Sequence, residues 1–254
     1  MTIDSLWIRR YHRASENAIG LVCFPHAGGS ASFYLPVSRA LTPTTDVLAV
    51  QYPGRQDRRA EQCIDDVRTL AQHAAEALGD YTRRPLALFG HSLGASVAFE
   101  TARVLEHQQG RAPAYLFVTG RRAPSRQRDE RAHLQDDSGL IEELRRLDGT
   151  ESNVLGDDEM LRAVLPAVRS DYRAAETYRY EPGPPLSCPI TVLISDTDPK
   201  VTLDEAQAWS EHTSGVFECR VFTGGHFFIT QHQAELLDII VSRLSTAVHP
   251  TIRL

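Results

Sequence analysis

A short apolar run, Pro85 to Phe89, breaks into Gly90-His91-Ser92-Leu93-Gly94 and resumes with helical period from Ala95 to Glu106. A strand turned through two glycines into a helix is the most restrictive feature of this chain, because it calls for a sheet with helices packed on it. Strand and helix come so close at such a turn that a side chain at either flank would collide. Neighbouring segments repeat the unit. Ile19 to Phe24 reads as a strand ending in Pro25-His26-Ala27-Gly28-Gly29-Ser30, with Ser30 placed to cap the next helix. Asp46 to Gln51 reads as another strand and stops at Tyr52-Pro53-Gly54. Asp65 or Asp66 then caps a helix with Leu70, Ala74, Ala75 and Leu78 on one face. With Ala114 to Thr119 as a further strand, the alternation predicts a mostly parallel sheet flanked by crossover helices, an α/β fold.

From Arg121 to Cys188 the alternation stops and short amphipathic helices are expected. Leu140, Ile141, Leu144 and Leu147 share one face, Asp157-Asp158-Glu159 supplies acids for the start of a second helix, and Pro166 suits the first turn of a third. The alternation returns with Ile190 to Ile194 and Val216 to Phe222 as strands, and with Asp204 to Glu211 and Gln233 to Thr246 as helices. The expected organisation is a core over 1–120 and 189–254, with a helical lid insertion over 121–188 seated on its sheet.

Composition narrows the partners. Lys+Arg 27 against Asp+Glu 33 gives a formal charge of −6, so nucleic acid is not expected. No run approaches the roughly 18 apolar residues of a spanning helix. Met1 to Arg13 carries charges where a signal peptide needs an apolar stretch, so no membrane partner and a cytoplasmic location are expected. Cys23, Cys63, Cys188 and Cys219 are scattered without a C-x-x-C pair and read as reduced. The histidines lack metal-ligand spacing, and both G-x-G-x-x-G and a Walker lysine are missing, so neither metal nor cofactor is expected.

A serine hydroxyl is a weak nucleophile until an imidazole takes its proton and a carboxylate orients the ring. Ser92 is the candidate nucleophile. Among ten histidines, His226 is the candidate base, since Gly224-Gly225-His226 follows the last expected strand and falls at the same sheet edge as Ser92. Ser195-Asp196-Thr197-Asp198-Pro199 follows the penultimate strand. Both aspartates qualify; Asp198, fourth after the strand end, is preferred for the imidazole, and Asp196 is left to cap the turn. The backbone amides of Leu93 and Ala27 are the expected donors to an oxyanion. His91 is read as a packing residue. Arg121, Arg122, Arg126, Arg128 and Arg131 read as a salt-bridged face, with a docking patch for an acidic partner as the alternative.

Several stretches together resemble the type II thioesterases, the free-standing editing enzymes of polyketide and nonribosomal peptide synthetases. They are Phe24-Pro25-His26-Ala27-Gly28-Gly29-Ser30, Tyr52-Pro53-Gly54-Arg55, Gly90-His91-Ser92-Leu93-Gly94, Gly120-Arg121-Arg122-Ala123-Pro124, Leu165-Pro166, Asp171-Tyr172, Glu176-Thr177-Tyr178, Asp196-Thr197-Asp198-Pro199 and Gly224-Gly225-His226-Phe227. Ser195 departs from the glycine such enzymes often carry. The resemblance implies an α/β-hydrolase fold, Ser92, Asp198 and His226 as triad, and Ala27 and Leu93 as oxyanion hole. It also implies hydrolysis of acyl groups from the phosphopantetheine arm of an acyl or peptidyl carrier protein. A general esterase or lipase, a cyclising release thioesterase and a non-catalytic synthase-binding scaffold are the rival expectations.

Overall fold

Strands covered on both faces need apolar side chains at nearly every position, and this chain supplies them in runs of five or six. The computed structural model of the protein describes residues 2–3, 5–148 and 158–248. Its strands are Thr2–Ile3 (β1), Ile8–Arg10 (β2), Ile19–Phe24 (β3), Thr45–Val50 (β4), Leu86–His91 (β5), Tyr115–Thr119 (β6), Ile190–Ser195 (β7) and Phe217–Phe222 (β8). They form one sheet in the order β1-β2-β4-β3-β5-β6-β7-β8. From β4 to β8 all neighbours are parallel, while β1 and β2 close one edge antiparallel. Every residue of β3 through β7 is buried.

The helices are Leu35–Leu41 (α1), Val67–Ala77 (α2), Leu93–Arg103 (α3), Asp137–Asp148 (α4), Asp158–Thr177 (α5), Leu203–Gln207 (α6), Phe228–Gln231 (α7) and Gln233–Val248 (α8). Successive strand residues point to opposite faces, so β3 divides its side chains between two cores. Leu21 and Cys23 pack with Leu41 of α1 and with Ile240 and Leu244 of α8. Val22 and Phe24 pack with Leu70 and Ala74 of α2 and with Val97 and Ala98 of α3. Asp66 caps α2, its side chain accepting the Thr69 N–H at 2.7 Å.

The charged N-terminal segment adds two strands to the sheet, and Arg9 is buried in β2 with its guanidinium held by Asp57 and the Ser5 carbonyl. Two expectations need correction. Pro166 lies inside α5 and does not start a separate helix. An interior proline costs about 3 kcal/mol, and burial of Leu165, Val168 and Tyr172 on the same helix offsets it. Ser30 occupies a cap position, but its hydroxyl meets Ser32 and Gln56 rather than the helix N–H groups. Asp157, expected at a helix start, lies outside the described residues.

Between β6 and β7, α4 and α5 share a small apolar core of their own. Leu140, Ile141, Leu147, Leu165, Val168 and Tyr172 pack together, with Ala27 and Phe227 of the sheet edge against them. That contact brings the helices over the carboxyl ends of β3, β5, β7 and β8.

Candidate active site

The turn after β5 is held in a conformation the sequence pays for with glycines. Ser92 has φ 54°, and its N–H donates to the Thr119 carbonyl at 2.9 Å. A Cβ on Gly90 would stand 2.2 Å from the Gly94 carbonyl oxygen, and one on Gly94 would stand 2.1 Å from the Phe24 carbonyl oxygen. Neither position has room for any other residue. The strain lifts the serine hydroxyl above the sheet at the start of α3.

Three side chains from separate loops meet there. The Ser92 hydroxyl lies 3.0 Å from His226 Nε2, and His226 Nδ1 lies 2.8 and 3.0 Å from the two carboxylate oxygens of Asp198. A carboxylate only accepts hydrogen bonds, so it fixes the imidazole proton on Nδ1 and leaves Nε2 as the acceptor for the serine. His226 is 1% and Asp198 7% exposed, which keeps water from competing for either bond. The Lys200 N–H donates to Asp198 Oδ1 at 2.8 Å and keeps the carboxylate turned to the ring.

Asp196 does not reach the imidazole. It accepts the Gly224 N–H at 2.9 Å and so braces the loop that carries His226. Ser195 braces the same loop, its hydroxyl donating to the Gly225 carbonyl at 2.7 Å. Ala27 and Leu93 line one narrow cavity with Ser92 and His226. Among the described residues, neither of their amide N–H groups has a hydrogen-bond acceptor, so two donors stay open beside the serine.

Two further histidines surround the base, and spacing gave no sign of this. The His91 ring lies 5.0 Å from that of His226 and 5.8 Å from that of His26. Burial pushes His91 well below the usual histidine range, and His226 and His26 add to the shift. His26 is lowered to about 3 by burial, with His226 and Arg55 contributing. Both stay neutral near pH 7 and add no positive charge beside an imidazolium forming on His226.

The arginine stretch is engaged largely within the protein as an ion-paired seam, as the salt-bridged reading expects, although Arg126 and Arg131 stay exposed at the surface. Arg121 is buried, donating to Ser96 Oγ at 3.0 Å and to the Ala175 carbonyl at 2.9 Å. Arg122 is buried against Glu130, Arg126 pairs with Glu211, Arg128 with Glu205 and Arg131 with Asp129. Lys200 Nζ joins the seam, 3.1 Å from Glu130 and 2.6 Å from Glu143 of α4. Burial raises the Glu130 carboxyl, yet Arg122 and Lys200 hold it down to about 2.

The cavity at Ser92 holds about 40 Å³, walled by Leu144, Leu147, Tyr172 and Phe227. A larger apolar cleft of about 400 Å³ lies on the other face of the sheet, between α1 and α8, and contains none of the three converging side chains. Among the described residues no group of His, Cys, Asp or Glu is arranged to hold a metal, and no helix is long and apolar enough to cross a membrane.

Residues 20–244 match the family model described as "Thioesterase domain". "Thioesterase PikA5" of Streptomyces venezuelae is 51% identical over 246 residues, which cover 96% of this chain and 88% of that protein. "Probable cadicidin biosynthesis thioesterase" of Streptomyces griseus is 53% identical over 244 residues, 96% of this chain but only 66% of that protein. The solved structure of the type II thioesterase BorB from the borrelidin biosynthetic cluster superposes with a TM-score of 0.91 at 54% identity, covering 94% of this chain and 98% of that one. YbtT, a type II thioesterase from the yersiniabactin pathway, gives 0.83 at 30%, covering 95% and 99%. With the family model matching residues 20–244 and the likeness to these relatives covering 94–96% of the chain, the chain belongs to the thioesterase family, among the type II thioesterases of α/β-hydrolase fold.

Proposed function

We propose that the protein removes acyl groups from the phosphopantetheine arm of acyl or peptidyl carrier proteins, clearing stalled chains in polyketide or nonribosomal peptide assembly. The observation that carries the reading is the continuous hydrogen-bond path from the Ser92 hydroxyl through His226 to Asp198, beside two open amide donors. The relatives support the pathway: PikA5 is a thioesterase by name, BorB is a type II thioesterase from the borrelidin biosynthetic cluster, and YbtT is one from the yersiniabactin NRPS/PKS pathway.

Ser92 Oγ attacks the thioester carbonyl carbon while His226 Nε2 takes its proton and Asp198 steadies the resulting imidazolium. The carbonyl oxygen, now negative, accepts from the Ala27 and Leu93 amides, each worth about 3 to 4 kcal/mol. The carbon–sulfur bond breaks, the thiol leaves with the proton from His226, and an acyl ester remains on Ser92. Water then attacks that ester, with His226 again as base; the bond from the acyl carbon to Ser92 Oγ breaks, His226 returns the proton to Oγ, and the carboxylic acid departs.

A cavity of about 40 Å³ has room for a few waters, whereas ligand pockets enclose roughly 300–1,000 Å³. We therefore read residues 121–188 as a lid on a core of 1–120 and 189–254, with α4 and α5 moving to admit the arm. Four free cysteines fit a cytoplasmic setting. Comparing kcat/KM for an acyl carrier protein, the matching acyl-CoA and a nitrophenyl ester tests the substrate. The carrier thioester is expected to be fastest; a nitrophenyl ester preferred over both thioesters would overturn the reading in favour of a general esterase.

A further inference from the structure

Arg55, beyond the turn that ends β4, and Asp171, in the middle of α5, form a closed ion pair that the steps above do not use. Arg55 Nη1 donates to Asp171 Oδ2 at 2.6 Å and Nη2 to Oδ1 at 2.9 Å. The guanidinium is 7% exposed, lies 5.2 Å from the centre of the Tyr52 ring, and the carboxylate is fully buried. Both groups also grip one turn. The Gly28 N–H donates to Asp171 Oδ2 at 2.7 Å, and Arg55 Nη1 donates to the Gly29 carbonyl at 3.1 Å.

That turn spans His26 to Gly29, closed by the Gly29 N–H on the His26 carbonyl at 2.9 Å, with Gly28 at φ +74°. Positive φ at the third residue marks a type II turn, which differs from type I by rotation of its central peptide, here between Ala27 and Gly28. The carboxylate holds the N–H of that peptide and the guanidinium holds the Gly29 carbonyl, so the pair fixes the turn at the two residues that follow Ala27, while the Ala27 N–H itself, on the preceding peptide, stays free of both. A buried ion pair stabilises little by itself, since an apolar pair of similar volume often does as well. Its particular contribution here is the two-point grip on the turn, at the Gly28 N–H and the Gly29 carbonyl.

We infer that Arg55 and Asp171 are positioning residues that keep the Ala27 amide in place to receive the oxyanion. The inference rests on reading Ala27 and Leu93 as the oxyanion donors. Because Asp171 belongs to α5, the donor is held only while α5 is seated on the core. The reaction is thereby coupled to closure of the helices above the serine, and an open site is a poor catalyst as well as an accessible one.

The test replaces both partners, Arg55→Met with Asp171→Leu, so that no buried charge is left alone. On a small acyl thioester, kcat is expected to fall 10- to 100-fold with KM changed less than threefold. An alkyl boronate that forms a tetrahedral adduct on Ser92 should bind weaker by a similar factor, while a thioether analogue of the substrate binds as before. A merely structural pair would not separate those two ligands. Should the double variant not fold, Arg55→Lys serves, because one ammonium keeps the charge but not the fork; it is expected to lose kcat at constant KM. Wild-type kcat in either folded variant overturns the inference. Ala27→Pro separates this from the reading beneath it, since proline suits the second position of a type II turn and removes only the N–H. Wild-type kcat there refutes Ala27 as a donor. Loss there without loss in the pair variants refutes the grip alone.

Discussion

Substituting Asp198 by asparagine changes one atom's chemistry at the end of the hydrogen-bond path and leaves its shape. In the native site both carboxylate oxygens face His226 Nδ1, at 2.8 and 3.0 Å, with the pair shut off from water. Two effects follow from the loss of charge. Attraction between a carboxylate and an imidazolium at about 3 to 4 Å is on the order of 4 to 6 kcal/mol at an effective dielectric constant near 20, and it is felt only when the imidazolium forms. At 1.36 kcal/mol per decade that is about 10³ to 10⁴ in kcat. An asparagine amide can also turn its N–H groups to Nδ1 and force the proton onto Nε2, where it blocks acceptance from Ser92. Steady-state hydrolysis of a small acyl thioester is expected to show a loss of at least 10³ in kcat with KM little changed. Asp196→Asn keeps an oxygen for the Gly224 N–H and is expected to stay within about threefold of the wild type. The reasoning is refuted if Asp198→Asn stays within tenfold, or if Asp196→Asn loses as much as Asp198→Asn.

Other outcomes follow from the packing and charge of the site. Gly94→Ala drives a methyl into the Phe24 carbonyl and should lower stability by about 3 kcal/mol or more, read as a fall in Tm; an unchanged Tm would contradict the close approach. His91 is folded with its pKa depressed, so the unfolded state binds the proton first as pH falls below about 6.5, and stability drops by about 1.4 kcal/mol per pH unit from that group until the folded pKa is reached. Urea unfolding of His91→Gln between pH 6 and 5 should show a slope shallower by that amount, and an equal slope would argue against a buried neutral ring. Arg126→Ala removes an exposed ion pair with Glu211 and is expected to leave both KM for an acyl carrier protein and Tm nearly unchanged; a large rise in KM would favour the docking patch over a plain salt-bridged face.

The sheet was readable because its central strands are largely apolar and buried on both faces, and the elbow because glycines are forced where backbones touch. The expected strands at 19–24, 46–51, 85–89, 114–119, 190–194 and 216–222 lie within a residue or two of those observed. Ser92, His226 and Asp198 were legible from their places at strand ends, and the structure does bring them together. What failed to show was whatever depends on a distant partner. The burial of Arg9 depends on Asp57, 48 residues further along the chain, and on the Ser5 carbonyl. The arginine stretch reads as a salt-bridged face, but the spacing does not name its partners, since Glu205 and Glu211 lie more than 70 residues beyond it. Pro166 reads as a helix start because local preference cannot register the tertiary contacts of Leu165 and Tyr172. Arg55 and Asp171 each stood in a motif, but nothing in the spacing joined them.

The central claim is that Ser92 carries the acyl group between the thiol and water, and quenched-reaction mass spectrometry of the intact protein reads this directly. After mixing with an acyl thioester, a mass increase equal to the acyl group should appear on the peptide containing Ser92, decay as free acid forms, and be missing in Ser92→Ala, which should also lose turnover. An acyl group found on another residue, or near wild-type turnover in Ser92→Ala, would contradict it.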